Sequence, residues 1–271
     1  MTIDGRKIAR KILDELKDQL KKSGKKLRLA AVLVGQNPNL KKFVELKKKA
    51  AEEIGIDFRI YEFPEKITNS KLRKELEKIA KAETNHGVII ELPLPKHLNT
   101  QFLLNTIPEE KDVDVLSGKS QAKFFAGTSS ALPPAVETVK QIFKEYKIEP
   151  KGKQAAVFGY GLLVGKLVSH WLANQGAAVS IITEHTKNPS EISKFSDVIV
   201  SGVGRVNLIT ADMVKRGATV IDFGRDVDFE PVSKKAGLIT PPVGGVGPIV
   251  VAAVLKNLVI LNSKNQIPNP K

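Results

Sequence analysis

The chain has 271 residues, 42% of them hydrophobic, with no cysteine and 43 basic against 29 acidic residues. That length allows one large domain or two ordinary ones, and the missing thiols exclude disulfides, thiolate metal sites and a cysteine nucleophile. The net charge of +14 comes from lysines spread over helical segments, with aromatics at only 6%, so a solvated surface or a field that draws in a small anion is expected rather than a nucleic-acid interface.

Ile8 to Leu20 carries apolar residues at helical spacing and predicts a surface helix. Leu27 to Gly35 reads as a buried strand. Asn37 can cap a helix that runs to Ile54 and stops at Gly55. Asp57 to Phe63 alternates as a strand, Asn69 or Ser70 caps a helix through Ala82, and His86 to Leu92 is a further buried strand ended by Pro93 and Pro95. A short helix follows near Thr100 to Asn105, and residues 111–127 read as a loop. This alternation predicts a parallel sheet with helices packed on it. Pro133 and Pro134 open a helix from Ala135 to Tyr146 into a second unit. There the pattern predicts strand 154–158, helix 162–175, strands from Ala178 to Thr183 and Val198 to Ser201, helix Ala211 to Lys215 and strand Thr219 to Phe223. Ile249 to Leu261 reads as a buried helix returning to the first unit. No run approaches the roughly 18 apolar residues of a membrane span, and the N-terminus lacks the apolar segment of a signal peptide. A cytoplasmic location fits.

The fold class expected is therefore α/β, two α/β domains with a cleft between them, the second of Rossmann type. Its boundaries fall at 1–132 plus 249–271 for the first domain and 133–248 for the second. Ligands of such sheets bind at the carboxyl ends of strands. The strongest local signal lies there: the strand 155–158 runs into Gly159, Tyr160 and Gly161, and Gly165 opens toward a helix. Glycines let the backbone approach a pyrophosphate, and a helix N-terminus offers it N–H groups. The spacing is one residue longer than the usual dinucleotide fingerprint, and a purely structural turn is the alternative. After the second strand, Glu184 is placed to accept from a ribose 2′-hydroxyl, which leans toward NAD, while His185 and Lys187 suit a 2′-phosphate; both NADP and NAD stay open.

Six segments in order resemble the methylenetetrahydrofolate dehydrogenase/cyclohydrolase family, also called FolD: Val32 to Pro38, Phe43 to Lys47, Glu91-Leu-Pro-Leu-Pro95, Lys111-Asp-Val-Asp114, Gly159 to Gly165, and Gly244-Gly-Val-Gly-Pro248. The resemblance covers nearly the whole chain. It implies oxidation of 5,10-methylenetetrahydrofolate to the methenyl form with NADP or NAD, hydrolysis of that product to 10-formyltetrahydrofolate, and a homodimer. It also implies that the first domain, with the C-terminal helix, holds folate and the second holds the dinucleotide.

Residue by residue, the resemblance makes Lys47 the catalytic lysine, four residues after a position where the family has tyrosine and this chain has Phe43. Taken alone, Lys47 to Lys49 would read as solvated lysines. The Phe43 ring can stack on a flat pterin or aminobenzoyl group but lacks the hydroxyl. Leu40 replaces a family serine. Glu91 replaces glutamine, and a carboxylate there would favour the ammonium form of Lys47 and weaken it as a base; a surface carboxylate is its bland alternative. Asp114 is the family's pterin-binding aspartate, with Val115 in place of the following glycine, a change expected to narrow the pocket. Gly244, Gly245 and Pro248 match the loop over folate and nicotinamide. Since hydride transfer depends mainly on placement, a dehydrogenase with reduced cyclohydrolase activity is the primary reading. A catalytically degenerate or repurposed nucleotide- or folate-binding protein on the same fold is the alternative. No metal, nucleic acid or membrane is expected.

Overall fold

In the computed structural model the described residues are 1–263. They form two compact units: one made of Met1–Arg10 and Ala135–Val250, the other of Lys11–Pro134 and the chain from Val251 onward. The divisions fall inside the first helix, α1 (Gly5–Ser23), at Pro134/Ala135, and inside the last, α10 (Val246–Ser263).

The unit containing 11–134 is a three-stranded parallel sheet in the order β2 (Asp57–Phe63), β1 (Arg28–Val34), β3 (Gly87–Ile90). The central strand pairs on both sides, Arg28 with Asp57 and Leu29 with Gly87, and is buried from Leu29 to Val34. Continuous apolar sequence on a strand covered on both faces is the mark of parallel sheets. Helices α2 (Pro38–Glu53) and α3 (Asn69–Lys81) supply the crossovers. The Asn37 side-chain oxygen accepts the N–H groups of Asn39 and Leu40, which starts α2 as its residue type predicts. For α3 the cap is Thr68, one residue before the expected Asn69, whose own side chain instead reaches His97 and Asn99. Helix α4 (Thr100–Leu104) follows.

The expected loop 111–127 is structured. A 3₁₀ turn at Glu109–Lys111 leads to helix α5 (Gly118–Phe125), capped by Ser117, whose hydroxyl accepts the Ser120 N–H. The serine cap in Ser117-Gly-Lys-Ser120 was the available signal. Helix α10 is long and apolar enough to cross a membrane by length and composition. Its apolar residues are instead core: Val251, Ala252, Ala253, Val254, Leu255, Leu258 and Val259 are buried. At Asn257, also buried, the side-chain amide donates to the carbonyls of Val113 at 2.8 Å and Leu132 at 2.7 Å. The expected residues 264–271 of this domain lie outside the described ones.

In the other unit, α6 (Pro134–Tyr146) precedes β4 (Gln154–Phe158), α7 (Gly165–Asn174), β5 (Ala178–Ile182), α8 (Pro189–Ser193), β6 (Val198–Ser201), β7 (Thr219–Asp222), α9 (Phe229–Ser233) and β8 (Leu238–Ile239). The strands form one parallel sheet in the order β5-β4-β6-β7-β8. Chain order reverses at β4, the switch point of a doubly wound sheet. The expected helix at 211–215 is only a 3₁₀ turn at Ala211–Met213, and α8, α9 and β8 are short additions to the expected pattern. The first residues join this unit rather than residues 11–132, because Thr2 pairs with Ile239 and the Ile3 N–H donates to the Ile239 carbonyl at 2.8 Å.

Candidate active site

Helix α2 buries Leu40, Val44, Lys47 and Ala51. These positions recur every three to four residues, so Lys47 lies on the apolar stripe of its helix, unlike Lys48 and Lys49 beside it. A lysine on such a stripe needs a partner inside the protein. It has one: its ammonium donates to Glu91 Oε1 at 2.7 Å and Oε2 at 2.8 Å. Both side chains are withdrawn from solvent, 10% and 4% exposed. Glu91 follows the last residue of β3, and its N–H still bonds the Val32 carbonyl, so the sheet fixes the carboxylate at the carboxyl end of the strand. It is no surface carboxylate.

Asp114 lies on the segment between the 3₁₀ turn and α5 and is half-buried. The neighbouring Asp112 carboxylate shapes that segment by accepting the N–H groups of Leu116 at 3.3 Å and Ser117 at 2.8 Å, and Asn257 ties down the Val113 carbonyl. Burial pushes the Asp114 carboxyl up to about 7; Lys47 opposes the rise, and the negative charges of Glu91 and Asp112 add to it. Lys47, Glu91 and Asp114 therefore share one electrostatic site. Since the folded value lies above the ordinary 3.8, the fold favours the protonated acid. That contribution is present below about pH 4 and is lost as pH rises through about 7. Stability of the wild type in urea melts is expected to decline across that window, and Asp114→Asn to flatten the decline; the same decline with pH in both proteins would contradict this.

Phe43, one helical turn before Lys47, is 42% exposed, so its ring is open to a ligand. Leu40 is buried and belongs to the core. Val115 adopts φ +58° while its side chain is buried, a conformation rare for β-branched residues. Glycine at this position answers a demand of the backbone as much as one of pocket width.

In the other unit the glycine turn is built as its spacing suggests, with one difference. Gly159, at φ +84°, donates its N–H to the Ile182 carbonyl at 2.7 Å. Helix α7 begins at Gly165 rather than at 162, so the turn is longer. A methyl group on Gly165 would fall on the Gly159 carbonyl oxygen, which explains the third glycine. No side chain caps the helix start at Val164. Tyr160 is 51% exposed, with the Lys166 ammonium 5.5 Å from its ring centre. Glu184 and His185 lie two and three residues beyond β5, both exposed and 3.7 Å apart. They stand at the carboxyl end of the strand next to β4, and so does Lys187.

Gly244, at φ +80°, and the buried Gly245 precede Gly247 and Pro248, which form the first turn of α10. Gly5 packs directly on this loop: a methyl group there would overlap the Gly245 carbonyl oxygen. The Arg6 guanidinium lies against Gly244. Asp112, Asn257 and Gly5 are supporting residues that the sequence reading did not single out; only the buried-side register of Asn257 on an otherwise apolar helix signalled one of them. Among the described residues no group of three or more His, Cys, Asp and Glu side chains is placed to hold a metal.

Comparison with known proteins agrees with this construction. Residues 3–114 match the family model of the tetrahydrofolate dehydrogenase/cyclohydrolase catalytic domain, and residues 133–266 that of its NAD(P)-binding domain. The bifunctional protein FolD of Nautilia profundicola is 42% identical over 273 residues, covering 96% of each chain. The crystal structure of the bifunctional enzyme FolD from Campylobacter jejuni superposes with a TM-score of 0.92 at 36% identity, covering 98% of this chain and 99% of that one. The Trypanosoma brucei enzyme, in complex with NADP and an inhibitor, gives 0.93 at 29% identity over 98% of both chains. The chain belongs to the tetrahydrofolate dehydrogenase/cyclohydrolase family and is an NAD(P)-dependent enzyme of folate one-carbon metabolism.

Proposed function

We propose that in this member of the family oxidation of methylenetetrahydrofolate outruns hydrolysis of the methenyl product. The observation that supports this is the two-oxygen contact of Glu91 with Lys47. Hydrolysis needs a base for the attacking water. Lys47 is engaged as a donor to both carboxylate oxygens, and an ammonium so held has no lone pair to accept a proton. Phe43 removes a hydroxyl that would otherwise be available to relay that proton. Hydride transfer makes no such demand, because it depends on placing the methylene carbon against the nicotinamide.

In this reading Lys47 and Glu91 are catalytic, and Phe43 stacks on the folate. Asp114 accepts from the pterin N–H groups, with Gly244, Gly245 and Pro248 lining the substrate side. Gly159, Tyr160, Gly161 and Gly165 receive the dinucleotide pyrophosphate, and Glu184 and His185 meet the adenosine ribose; NADP and NAD are both accommodated by this set. Residues 11–134 with the C-terminal helix are the folate domain, and 135–250 the dinucleotide domain. Because pterin N–H donors need the Asp114 carboxylate ionised, the KM for methylenetetrahydrofolate is expected to fall as pH rises toward about 7 and to level off above it.

A two-step assay with purified protein tests the main reading. Methenyl product is expected to accumulate ahead of formyl product with NADP or NAD; prompt formation of formyl product without a methenyl phase would refute it. The protein is further assigned to the cytoplasm and to a homodimer. The homodimer reading is supported by β5, an edge strand whose outer side has no neighbouring strand among the described residues and which exposes Ser180 and Ile181. Such an edge invites a second copy. Ile181→Pro, which removes one backbone donor on the side of β5 that faces away from β4, is expected to shift sedimentation toward monomer at micromolar protein; an unchanged dimer would place the contact elsewhere.

A further inference from the structure

A further buried carboxylate lies outside the residues discussed so far. Asp226 sits four residues past the end of β7 and is 0% exposed. Its Oδ2 accepts from the Ser201 hydroxyl at 2.5 Å and from the Val203 N–H at 2.8 Å. Its Oδ1 accepts from the Arg205 N–H at 2.6 Å. All three donors belong to one stretch, the last residue of β6 and the loop after it. Asp226 is itself held in place: Asp222 Oδ1 accepts its N–H at 3.0 Å.

That loop packs on the glycine turn. A methyl group on Gly159 would meet Val203 Cγ2 at 3.1 Å, and one on Gly202 would meet Val164 Cβ at 2.8 Å. Strands β4 and β6 are neighbours, and β4 is where the strand order reverses. The crevice beyond their carboxyl ends is where a doubly wound sheet takes its ligand. The glycine turn and the loop 201–205 lie side by side, in contact, at that end of the sheet.

We propose that Asp226 is a positioning residue for the dinucleotide, clamping the loop 201–205 against the glycine turn and so holding that turn in shape. The proposal rests on reading this unit as the dinucleotide domain and adds a residue to it. A carboxylate suits the task because both of its oxygens accept and neither donates. Asparagine in its place turns one acceptor into an N–H₂ group, which then confronts a backbone N–H of the loop whichever way the amide is turned. Gly224 presses on the same group: a methyl there would lie 2.5 Å from Oδ2 and 2.6 Å from Oδ1. Gly224→Ala therefore displaces the carboxylate without removing it.

The test compares wild type with Asp226→Asn and Gly224→Ala. Calorimetry gives the affinity for NADP and for NAD, and, separately, for tetrahydrofolate; steady-state kinetics gives the KM for nucleotide. In both variants nucleotide Kd and KM are expected to rise about tenfold or more, the scale of losing a hydrogen bond to a charged group. Tetrahydrofolate affinity is expected to stay within about twofold, since that site shares no partner with Asp226. Nucleotide affinity within about twofold of wild type in a folded variant overturns the proposal, and so does an equal loss of tetrahydrofolate affinity, which marks general loosening. If Asp226→Asn does not fold, Gly224→Ala alone decides. A wild type that binds neither nucleotide defeats the dinucleotide reading itself, and the proposal with it.

Discussion

Lys47→Met is expected to lower methenyl hydrolysis by about 10–10³-fold, the range of a lost acid–base group less the roughly tenfold by which Glu91 already restrains it. Dehydrogenase turnover should fall far less. The same change is expected to cost about 3–5 kcal/mol of stability, because it strands the Glu91 carboxylate in the protein interior. The direction follows from the burial of both side chains, 10% and 4% exposed, and from the two short contacts between them. Combining Lys47→Met with Glu91→Gln removes the stranded charge and should recover a large part of the stability while leaving hydrolysis lost. Urea melts and the two-step assay on the single and double variants separate these effects. Equal losses in oxidation and hydrolysis would show that Lys47 serves folate binding as a whole.

Gly165→Ala carries the second large effect. The added methyl would occupy the space of the Gly159 carbonyl oxygen, backbone against backbone, so no side-chain rotation relieves it. The turn must open or α7 must shift, and either removes the close approach that a pyrophosphate needs. Nucleotide affinity is expected to drop about a hundredfold or more, at a stability cost of about 1–3 kcal/mol typical of overpacking. Tetrahydrofolate binding should be retained. Wild-type nucleotide affinity in a folded Gly165→Ala protein would place the dinucleotide elsewhere.

The elements of this fold are legible where the pattern is long or the residue types are specific. Strand β1 announces itself through an uninterrupted apolar run, and Asn37 starts α2 where its side chain predicts. Helix α5 is not legible from periodicity, being 8 residues long; its Ser117 cap was the cue. The glycine turn is legible in composition but not in extent, since Leu162, Leu163 and Val164 continue the helical spacing while the helix waits for Gly165. At the site, local composition is misleading. Three consecutive lysines suggest solvent, and only their register with Leu40, Val44 and Ala51 separates Lys47 from its neighbours. The pairing of Lys47 with Glu91, 44 residues apart, needs the crossover from α2 to β3 and cannot be read from either segment alone. The left-handed backbone at Val115 is likewise hidden, because nothing in a valine signals a positive φ.

Glu91→Gln tests the central claim most directly. It keeps the shape of the side chain and an oxygen for the Lys47 ammonium, but removes the charge that holds that ammonium. Measured as the ratio of methenyl hydrolysis to methylenetetrahydrofolate oxidation in one reaction, the variant is expected to exceed wild type by about tenfold or more. A ratio unchanged or lowered by Glu91→Gln, with oxidation intact, would contradict the claim that the carboxylate restrains the lysine.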